Sequence, residues 1–549
     1  MQPRSLAELL VDRSEQHPDT LYVRLLERGR EPLCLTYADT LRLATRWASS
    51  FVEAGLEPGE PVALCLTTCE DFVGAFFGAL LIGGIPSAQD PLRSPDQDLS
   101  RLTKNLNFIG ARHLVVPPKL DAISSRLDGT VLTRNNLCAP SGSITPPING
   151  TAIAINQFTS GTSGQPKVVQ LSHAAVLNQL EGIAIKLKLD EASDSAVSWL
   201  PLSHDMGLIG FLLAPAFVHR NVSLIPTEDF AAAPMMWIKA LSDFRATITG
   251  GPPSAYALCG RFARRGDIDG IDLSALRIAL VGAEQISRDS LDIFSRRFAG
   301  NGLDPRALMP TYGLAENCLA VTMPAVEEPA RFDRIDLDLM RQEQRAEPAE
   351  PGQPHRSFAC VGTALPNVDV KIVDQDGGLI SGRFIGEIVI RGSSLMSGYV
   401  GQTEATTTDH GDGWFPTGDL GYMNGNELFV TGRKKELVIV GGRNFHPEDL
   451  ETVASTVRGV HSGRVVAFSI NDTELSTERV IVAVESGLEN PEDRVALRQR
   501  VTEALVATGL PIDRVLLLAR RSIRRTGTGK TMRIDCRTRY LEGRLREED

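Results

Sequence analysis

Cysteine is scarce in this sequence of 549 residues, and its eight cysteines are scattered along the chain. None forms a CxxC pair, and Cys65 with Cys69 has no second pair nearby that would complete a tetrahedral zinc site. The scattering is also unlike the disulfide framework of a small secreted domain. It predicts free thiols in a reducing cytoplasm.

Excess positive charge and long apolar runs are lacking as well. The formal net charge of −11 argues against a nucleic-acid-binding protein, since such proteins usually carry a net basic face. The most apolar segment, residues 72–85, is shorter than the ~20 residues that cross a bilayer and is predicted to be a buried helix. The opening "MQPRSLAELLVDRSEQHP" has no apolar core of a signal peptide. We therefore expect a cytoplasmic protein that neither inserts into a membrane nor binds nucleic acid.

The chain has instead the length and the patterning of a multidomain α/β protein. The chain is longer than a single compact core usually accommodates, so at least two domains are expected. In the first half, helical spacing over residues 6–16 and 37–54 alternates with short apolar strands such as "PVALCL" and "RIALVG". Alternation of this kind predicts parallel sheets flanked by helices.

The pattern changes after about residue 322. Glu327–Arg356 is charged, contains several prolines and has little apolar periodicity, so it is interpreted as an insertion outside the core. The segments "VDVKIVD", "GEIVIRG" and "ELFVTGR" then predict a small β-barrel. Beyond Arg433, strands and helices alternate in a compact α+β unit of about 115 residues.

A segment dense in glycine and hydroxyl groups follows a predicted strand: "TSGTSGQPK", Thr159–Lys167. Glycine lets backbone N–H groups approach an anion, while hydroxyls and a lysine add donors and charge, so this segment is suited to phosphate. Taken alone, it is equally compatible with a surface loop. A second segment, "RTGTGKT", ends like a Walker loop but has Arg524 where that loop needs its first glycine, which excludes a P-loop NTPase.

Seven further motifs follow the first loop, in this order: "SWLPLSHDMGLIG", "GAE", "TYGLAE", "GEIVIRG", "TGDLG", "TGRKKELVIVGGRNFHPEDLE" and "RTGTGK". Over about residues 6–545, this series resembles the adenylate-forming superfamily. "WLPLSHDMGLIG" and "GRNFHPEDLE" are most similar to fatty acyl-AMP ligases, and so are "QFTSGTSGQPK" and "CRTRYLEG". Residues 327–356 fall about where those ligases carry an insertion that hinders the CoA-dependent half-reaction.

The resemblance implies both an architecture and a reaction. An N-terminal body, residues 1–432, would contain two α/β subdomains and the small β-barrel, and a mobile C-terminal α+β domain, residues 433–549, would turn about Lys435. A fatty acid and ATP would give acyl-adenylate and pyrophosphate with the help of Mg²⁺, and an acyl-carrier protein acting in trans would take the acyl group. An acyl-CoA synthetase is the alternative within the family. A non-catalytic binding or scaffold protein is the alternative from another class.

The same resemblance assigns roles to individual residues. The β- and γ-phosphates would be held by Thr159, Ser160, Gly161, Thr162, Ser163, Gly164 and Lys167. Adenine would lie between two short segments, Gly282, Ala283 and Glu284 on one side and Thr311, Tyr312 and Gly313 on the other. Two hydroxyls occur in swapped order at Thr162 and Ser163, but both are present, so phosphate binding is still expected.

The remaining roles concern charge at the reacting atoms. Glu316 would bind Mg²⁺, Asp419 and Arg433 would reach the ribose, and Lys530 would lie between the substrate carboxylate and the α-phosphate. His204 would border the acyl pocket and gate the carboxylate. Three of the candidate residues are also compatible with an ordinary structural role: Asp419 as a turn residue, Glu316 as a surface charge and Tyr312 as a core aromatic.

One basic run stands out in this acidic protein. It contains Arg520, Arg521, Arg524 and Arg525, followed by Lys530 and Arg533. The run is either an ordinary solvated face or the docking site of an acidic acyl-carrier protein.

Overall fold

The computed structural model describes most of the chain. The described residues are 3–92, 95–140, 149–159, 167–189, 194–402, 413–440, 443–460, 464–472, 477–488, 490–507, 509–525 and 531–545. Their helices are α1 (Leu6–Gln16), α2 (Tyr37–Glu53), α3 (Glu70–Leu81), α4 (Pro95–Ile109), α5 (His173–Leu187), α6 (Ala214–Phe217), α7 (Thr227–Ala232), α8 (Met235–Asp243), α9 (Pro253–Phe262), α10 (Arg288–Phe298), α11 (Leu337–Glu343), α12 (Pro447–Ser455), α13 (Pro491–Ala507) and α14 (Arg533–Leu541).

The strands of the same residues fall into two groups along the chain. Those before residue 330 are β1 (Leu21–Leu25), β2 (Leu33–Thr36), β3 (Pro61–Leu64), β4 (Ile85–Ala88), β5 (His113–Val115), β6 (Thr130–Leu132), β7 (Ile153–Thr159), β8 (Lys167–Ser172), β9 (Ser195–Ser198), β10 (Asn221–Leu224), β11 (Ile248–Gly251), β12 (Ile278–Val281), β13 (Leu308–Pro310), β14 (Tyr312–Gly313) and β15 (Ala320–Met323). Those after it are β16 (Phe332–Asp336), β17 (His355–Ala359), β18 (Thr363–Ala364), β19 (Val368–Val373), β20 (Leu379–Ile380), β21 (Gly386–Gly392), β22 (Gly398–Tyr399), β23 (Phe415–Asn424), β24 (Glu427–Arg433), β25 (Val438–Val440), β26 (Arg443–Phe445), β27 (Val465–Asp472), β28 (Thr477–Glu485) and β29 (Arg514–Leu518).

The predicted parallel sheets are present. One sheet has the order β13-β12-β11-β9-β10-β1-β2, parallel except for the β1–β2 pair, and a second has the order β4-β3-β5-β6, parallel throughout. Parallel pairing sends the carboxyl ends of β11, β12 and β13 to one edge, the usual place for a ligand in an open α/β sheet. The predicted α/β fold class is thereby confirmed.

Helices pack closely on these sheets because their sequences permit it. A capping box between Thr36 and Asp39 begins α2, and a side chain at Gly74 of α3 would collide with Leu43 and Trp47 of α2. The two helices therefore pack closely against each other at this glycine. Residues 71–81 of α3 are all buried, as the apolar composition of the helix predicts. No helix within the described ranges has the length and apolarity needed to cross a membrane.

The later strands form smaller sheets whose described pairs are antiparallel, except for the parallel pair β28–β29. Strands in the order β20-β19-β21-β23-β24 make one sheet where the sequence predicts the small β-barrel, and β22 extends the β7–β8 pair. After β24, the apolar side chains of residues 438–545 pack in two clusters separate from that of the body. One cluster lies around Val482 and the other around Phe468, on opposite faces of the β27-β28-β29 sheet.

Residues 327–356, interpreted from the sequence as an insertion outside the core, do have regular structure, and their buried side chains belong to a small cluster separate from the main core. β16 pairs with β17 around the short helix α11, and Ile335 and Met340 are buried with Tyr422 and Phe429 of the antiparallel sheet. These elements are too short to show a period in the sequence, which is why the segment reads as irregular.

Candidate active site

Two turns meet at the carboxyl edge of the main parallel sheet. Gly282 to Glu284 follow β12, and Thr311 begins the turn after the neighbouring strand β13. The N–H of Thr311 donates to the carbonyl oxygen of Val281 at 2.8 Å, and a Cβ on Gly282 would lie 2.9 Å from the Thr311 hydroxyl oxygen. Only glycine therefore fits at position 282, and the two adenine segments predicted from the sequence are brought together.

Ala283, between Gly282 and Glu284, has a strained backbone. Its φ of 66° lies in the left-handed region that alanine rarely occupies, a conformation that costs about 1–3 kcal/mol and that clusters at functional sites. The side chain of Glu284 is half-buried and interacts electrostatically with Arg525 of the C-terminal segment. Ala283 itself is exposed at the edge of the sheet.

Tyr312, Asp419 and Arg433 form one connected group. β23 pairs with β24 so that Asp419 lies opposite Arg433, and the Arg433 Nε atom is 3.2 Å from Asp419 Oδ1. The phenol of Tyr312 donates to Asp419 Oδ2 at 2.8 Å. Burial raises the pKa of the Tyr312 phenol well above its usual value and the Asp419 charge raises it further, so the phenol stays a donor. Three residues assigned to the nucleoside are thus adjacent.

Lys167 and Glu316 meet at a residue that sequence reasoning missed, Tyr399. The Tyr399 hydroxyl donates to Glu316 Oε1 at 2.7 Å, and Lys167 Nζ lies over the Tyr399 ring, 4.7 Å from its centroid. Thr159, at the other end of the loop, pairs with Lys167 across β7 and β8. The dipeptide "GY" in "SLMSGYVG" gives no signal of this contact in the sequence.

His204 lies in the turn before a π-helical segment, Met206–Leu213. Its Nδ1 is 2.6 Å from Asp205 Oδ1, and Asp205 also accepts from the N–H of Met206 at 2.7 Å. The side-chain amide of Gln157, on β7, donates to the Ser203 carbonyl oxygen at 2.8 Å. The predicted His204 is therefore tied to the strand that leads into the phosphate loop.

An apolar cavity of about 40 Å³ lies against the main sheet, beside the π-helical segment. Its wall includes Ile183, Leu187, Gly210, Phe211, Leu280 and Leu319. Leu280 comes two residues before Gly282, and Leu319 three residues after Glu316. The cavity thus shares its walls with the segments that carry the candidate nucleotide site.

Several predicted residues lie outside the described ranges: Ser160, Gly161, Thr162, Ser163, Gly164 and Lys530. The residues on either side of the gap that contains Lys530 are described and contact each other. Arg525 pairs with Thr531 in an antiparallel bridge, and the N–H of Met532 donates to the Arg524 carbonyl oxygen at 3.0 Å. Arg525 also lies in the field of Glu284. Arg525, the described residue that precedes this gap, therefore interacts with the turn that contains Glu284.

The body and the C-terminal segment meet through charged side chains. Arg356, on β17, is 2.9 Å from Asp449 of α12, and Arg341, on α11, is 3.7 Å from the same carboxylate. The Arg341 guanidinium also lies over the Phe445 ring, 5.2 Å from its centroid. Next to them, burial lowers the pKa of His446 far below its usual value, and the charges of Arg356 and Arg341 lower it further.

The predicted docking arginines do not share one environment. Arg520, Arg521 and Arg524 are exposed, and Arg524 is 3.2 Å from Asp535. Arg525 is half-buried and interacts with Glu284 and Glu485, so it does not belong to the exposed set.

The comparison with protein families decides the assignment. The chain matches the AMP-binding enzyme family over residues 10–400, well over half of its length. The chain belongs to the AMP-binding enzyme family. The superfamily resemblance drawn from the motifs is confirmed.

Named AMP-binding enzymes extend the match over nearly the whole chain. The chain is 32% identical to a putative acyl-CoA synthetase of Caulobacter vibrioides, over 94% of this chain and 92% of that protein. It is 30% identical to a long-chain-fatty-acid–AMP ligase of Mycolicibacterium smegmatis, over 95% and 91%. Among solved structures, it is similar to a chain from structural and functional studies of fatty acyl-adenylate ligases from E. coli and L. pneumophila, with a TM-score of 0.90, 30% identity and 98% coverage of both chains.

A divalent cation of the kind AMP-binding enzymes use with ATP fits the donors present. Glu316 offers carboxylate oxygen, the ligand that Mg²⁺ prefers. No cluster of three or more metal-ligating side chains occurs among the residues with described positions.

Proposed function

We propose that this AMP-binding enzyme is a fatty acyl-AMP ligase. It joins the carboxylate of a fatty acid to the α-phosphate of ATP and releases pyrophosphate. The observation that carries the proposal is the apolar cavity walled by Leu280 and Leu319, because Leu280 precedes the turn at Gly282 and Leu319 follows the turn at Glu316. The similarity to fatty acyl-AMP ligases over nearly the full chain supports it.

The nucleoside end of ATP is assigned to the group around Asp419. Adenine lies between the turn at Gly282 and Tyr312, and the close approach of Gly282 to Thr311 keeps these two segments together. Asp419 accepts from the ribose hydroxyls, and Arg433, whose Nε is already 3.2 Å from Asp419 Oδ1, reaches the same end of the nucleotide. The Tyr312 hydroxyl fixes the orientation of the carboxylate before the nucleotide arrives.

The phosphates are assigned to the opposite end. Thr159, Lys167 and the residues between them bind the β- and γ-phosphates and stabilise pyrophosphate as it leaves. Glu316 holds Mg²⁺, which neutralises phosphate charge and orients the triphosphate. Lys530 stabilises the negative charge that develops between the carboxylate and the α-phosphate, the term that dominates a reaction between two anions.

The acyl chain is assigned to the cavity beside the π-helical segment. At about 40 Å³ the cavity holds only a few water molecules, so its wall must open to admit a long alkyl chain. His204 gates the carboxylate at the entrance. Its Nδ1 lies 2.6 Å from Asp205 Oδ1, and this contact orients the imidazole.

Pyrophosphate release with a series of saturated fatty acids tests the first half-reaction. We expect release with fatty acids and none with amino acids or without ATP. A protein that releases no pyrophosphate with any acid, although it binds ATP, contradicts the proposal and favours a binding or scaffold role.

The acceptor is proposed to be an acyl-carrier protein. Incubation with fatty acid, ATP and either CoA or a phosphopantetheinylated carrier, followed by mass spectrometry, separates this proposal from an acyl-CoA synthetase, the name of a similar Caulobacter protein. We expect acyl-carrier protein in excess. Abundant acyl-CoA would assign the enzyme to the alternative.

Arg520 and Arg521 are the proposed contacts with that acidic carrier, since both are exposed. Their joint replacement by Glu should slow acyl transfer and leave pyrophosphate release unchanged. Equal losses in the two half-reactions would exclude docking at this site.

Transfer is proposed to need a rotation of the C-terminal domain, residues 433–549, about Lys435, which is exposed between β24 and β25. The Lys435→Pro variant should still form acyl-adenylate and should fail in transfer, because proline fixes φ and removes an N–H. Transfer at the normal rate in this variant would exclude the rotation.

A further inference from the structure

We infer that Tyr399 is a positioning residue that holds Lys167 and Glu316 apart, each ready for its own part of the triphosphate. The inference rests on the proposed function, since it concerns the phosphate and metal end of that site. It adds a residue that none of the motifs in the sequence indicates.

The backbone of Tyr399 is fixed on both sides. Its strand β22 pairs with β8, the strand that begins with Lys167, so that Tyr399 lies opposite Val169. The N–H of Met396, just before β22, donates to the carbonyl oxygen of Glu316 at 2.8 Å. One short segment is thus bonded both to the strand of the lysine and to the turn of the carboxylate.

The side chain of Tyr399 also contacts both Lys167 and Glu316. The ring is 8% exposed, and it presents its face to Lys167 Nζ at 4.7 Å and its hydroxyl to Glu316 Oε1 at 2.7 Å. The hydroxyl is the donor of this bond, because a carboxylate oxygen can only accept. The hydrogen bond occupies one carboxylate oxygen, and the second oxygen is left to meet a metal ion.

The charges explain why a tyrosine suits this place. A lysine and a carboxylate on neighbouring elements attract each other strongly in a partly buried site. A direct ion pair between Lys167 and Glu316 would neutralise the cation needed by phosphate and the anion needed by Mg²⁺. An aromatic face attracts the ammonium group without neutralising it, and a phenol orients the carboxylate without taking its charge.

Two substitutions separate the two contacts. Tyr399→Phe keeps the ring over Lys167 and removes only the hydroxyl, whereas Tyr399→Leu removes both contacts and lets Lys167 and Glu316 pair. Mn²⁺ in place of Mg²⁺, with a non-hydrolysable α,β-methylene ATP, allows metal binding to be measured by electron paramagnetic resonance without turnover. The same titration can be followed by the Mg²⁺ dependence of pyrophosphate release.

We expect Tyr399→Phe to weaken Mn²⁺ binding roughly tenfold, the usual effect of losing a hydrogen bond to a charged group, and to leave AMP binding unchanged. Tyr399→Leu should weaken both Mn²⁺ and the ATP analogue, again without a change in AMP binding. Combining Tyr399→Phe with Glu316→Gln should cost no more Mn²⁺ affinity than Glu316→Gln alone, because the hydroxyl acts through that carboxylate.

Tyr422→Phe is the matched control. The Tyr422 phenol is also buried and donates to a carboxylate, Asp333 Oδ2 at 2.8 Å, in the antiparallel sheet. This variant should lose stability and keep the wild-type Mn²⁺ affinity.

The inference is overturned if Tyr399→Phe binds Mn²⁺ as tightly as wild type, or if Tyr422→Phe weakens it equally. If Tyr399→Leu does not fold, Tyr399→Phe and the double variant still decide the matter. Because metal binding is measured without a fatty acid, a failure of the proposed reaction would appear separately, as wild-type metal and ATP binding with no pyrophosphate release.

Discussion

The two ends of the candidate site are held in different ways. In the body, Asp419 and Glu316 are each oriented by a buried tyrosine hydroxyl within packed sheets. At the other end, the segment around Lys530 belongs to a unit that meets the body through charged side chains, Arg341 and Arg356 against Asp449. Hydrogen bonds inside a packed core fix a geometry, whereas ion pairs between two parts of the chain can be exchanged for water when those parts separate. The proposed nucleotide site would therefore consist of a fixed part and an exchangeable part.

The largest expected effect comes from the exchangeable part. Lys530→Ala should reduce pyrophosphate release about 10²- to 10³-fold, because the variant loses the charge that we propose stabilises the transition state, while ATP should still bind to the body. Steady-state rates and binding of an ATP analogue are the measurements.

Arg524→Ala is the control for Lys530→Ala, since Arg524 is exposed just before the same segment. It should keep nearly full activity. Full activity of Lys530→Ala would show that Lys530 is not part of the site, and the comparison between its two ends would not hold.

The next largest effect is expected from acid, which should lower the stability of the body. His173, at the start of α5, accepts from the N–H of Leu6 at 3.1 Å, and burial lowers its pKa from 6.5 to about 4. The unfolded chain therefore takes up a proton below pH 6.5 that the folded chain refuses until about pH 4. Stability is full above pH 6.5 and falls by about 3 kcal/mol as the pH drops to 4.

Denaturant unfolding across that pH range measures the effect, and His173→Asn is the variant to compare. Asparagine can accept the same hydrogen bond but does not titrate, so its stability should fall less with acid. Parallel curves for the two proteins would show that His173 is not the group responsible.

The difference between the two parts also explains what the sequence could predict. Strand and helix positions in the body follow from strong periodicity and from turn residues, and α1, α2 and the strand before the phosphate loop occur where predicted. Tyr399 could not be found because its role depends on the pairing of β22 with β8, which are far apart in the chain. Arg525 reads as one more exposed charge, and only the approach of Glu284 distinguishes it from its neighbours.

The acyl cavity gives a smaller effect that depends on the substrate. Ile183→Trp, on α5, should lower pyrophosphate release with long-chain acids by roughly tenfold and leave short-chain acids nearly unaffected, because the larger ring fills the cavity. Ile185→Trp is the matched control, since Ile185 lies on the same helix but is exposed. An equal loss with acids of every length would indicate a general packing defect and no acyl pocket at this position.

The smallest effect is expected for the ion pairs between the body and the C-terminal segment, and it tests the comparison of the two ends of the site most directly. Replacing Arg341 and Arg356 by Gln removes both partners of Asp449 and should slow pyrophosphate release only severalfold, since the freed carboxylates can be solvated when the two parts separate. The loss should shrink in high salt, where the wild-type ion pairs are themselves screened. Arg345→Gln, in an exposed pair of the same insertion, should change neither rate nor salt dependence. If the double variant instead unfolds the body, the boundary is part of the fixed structure, and the division drawn here between the two ends of the site does not hold.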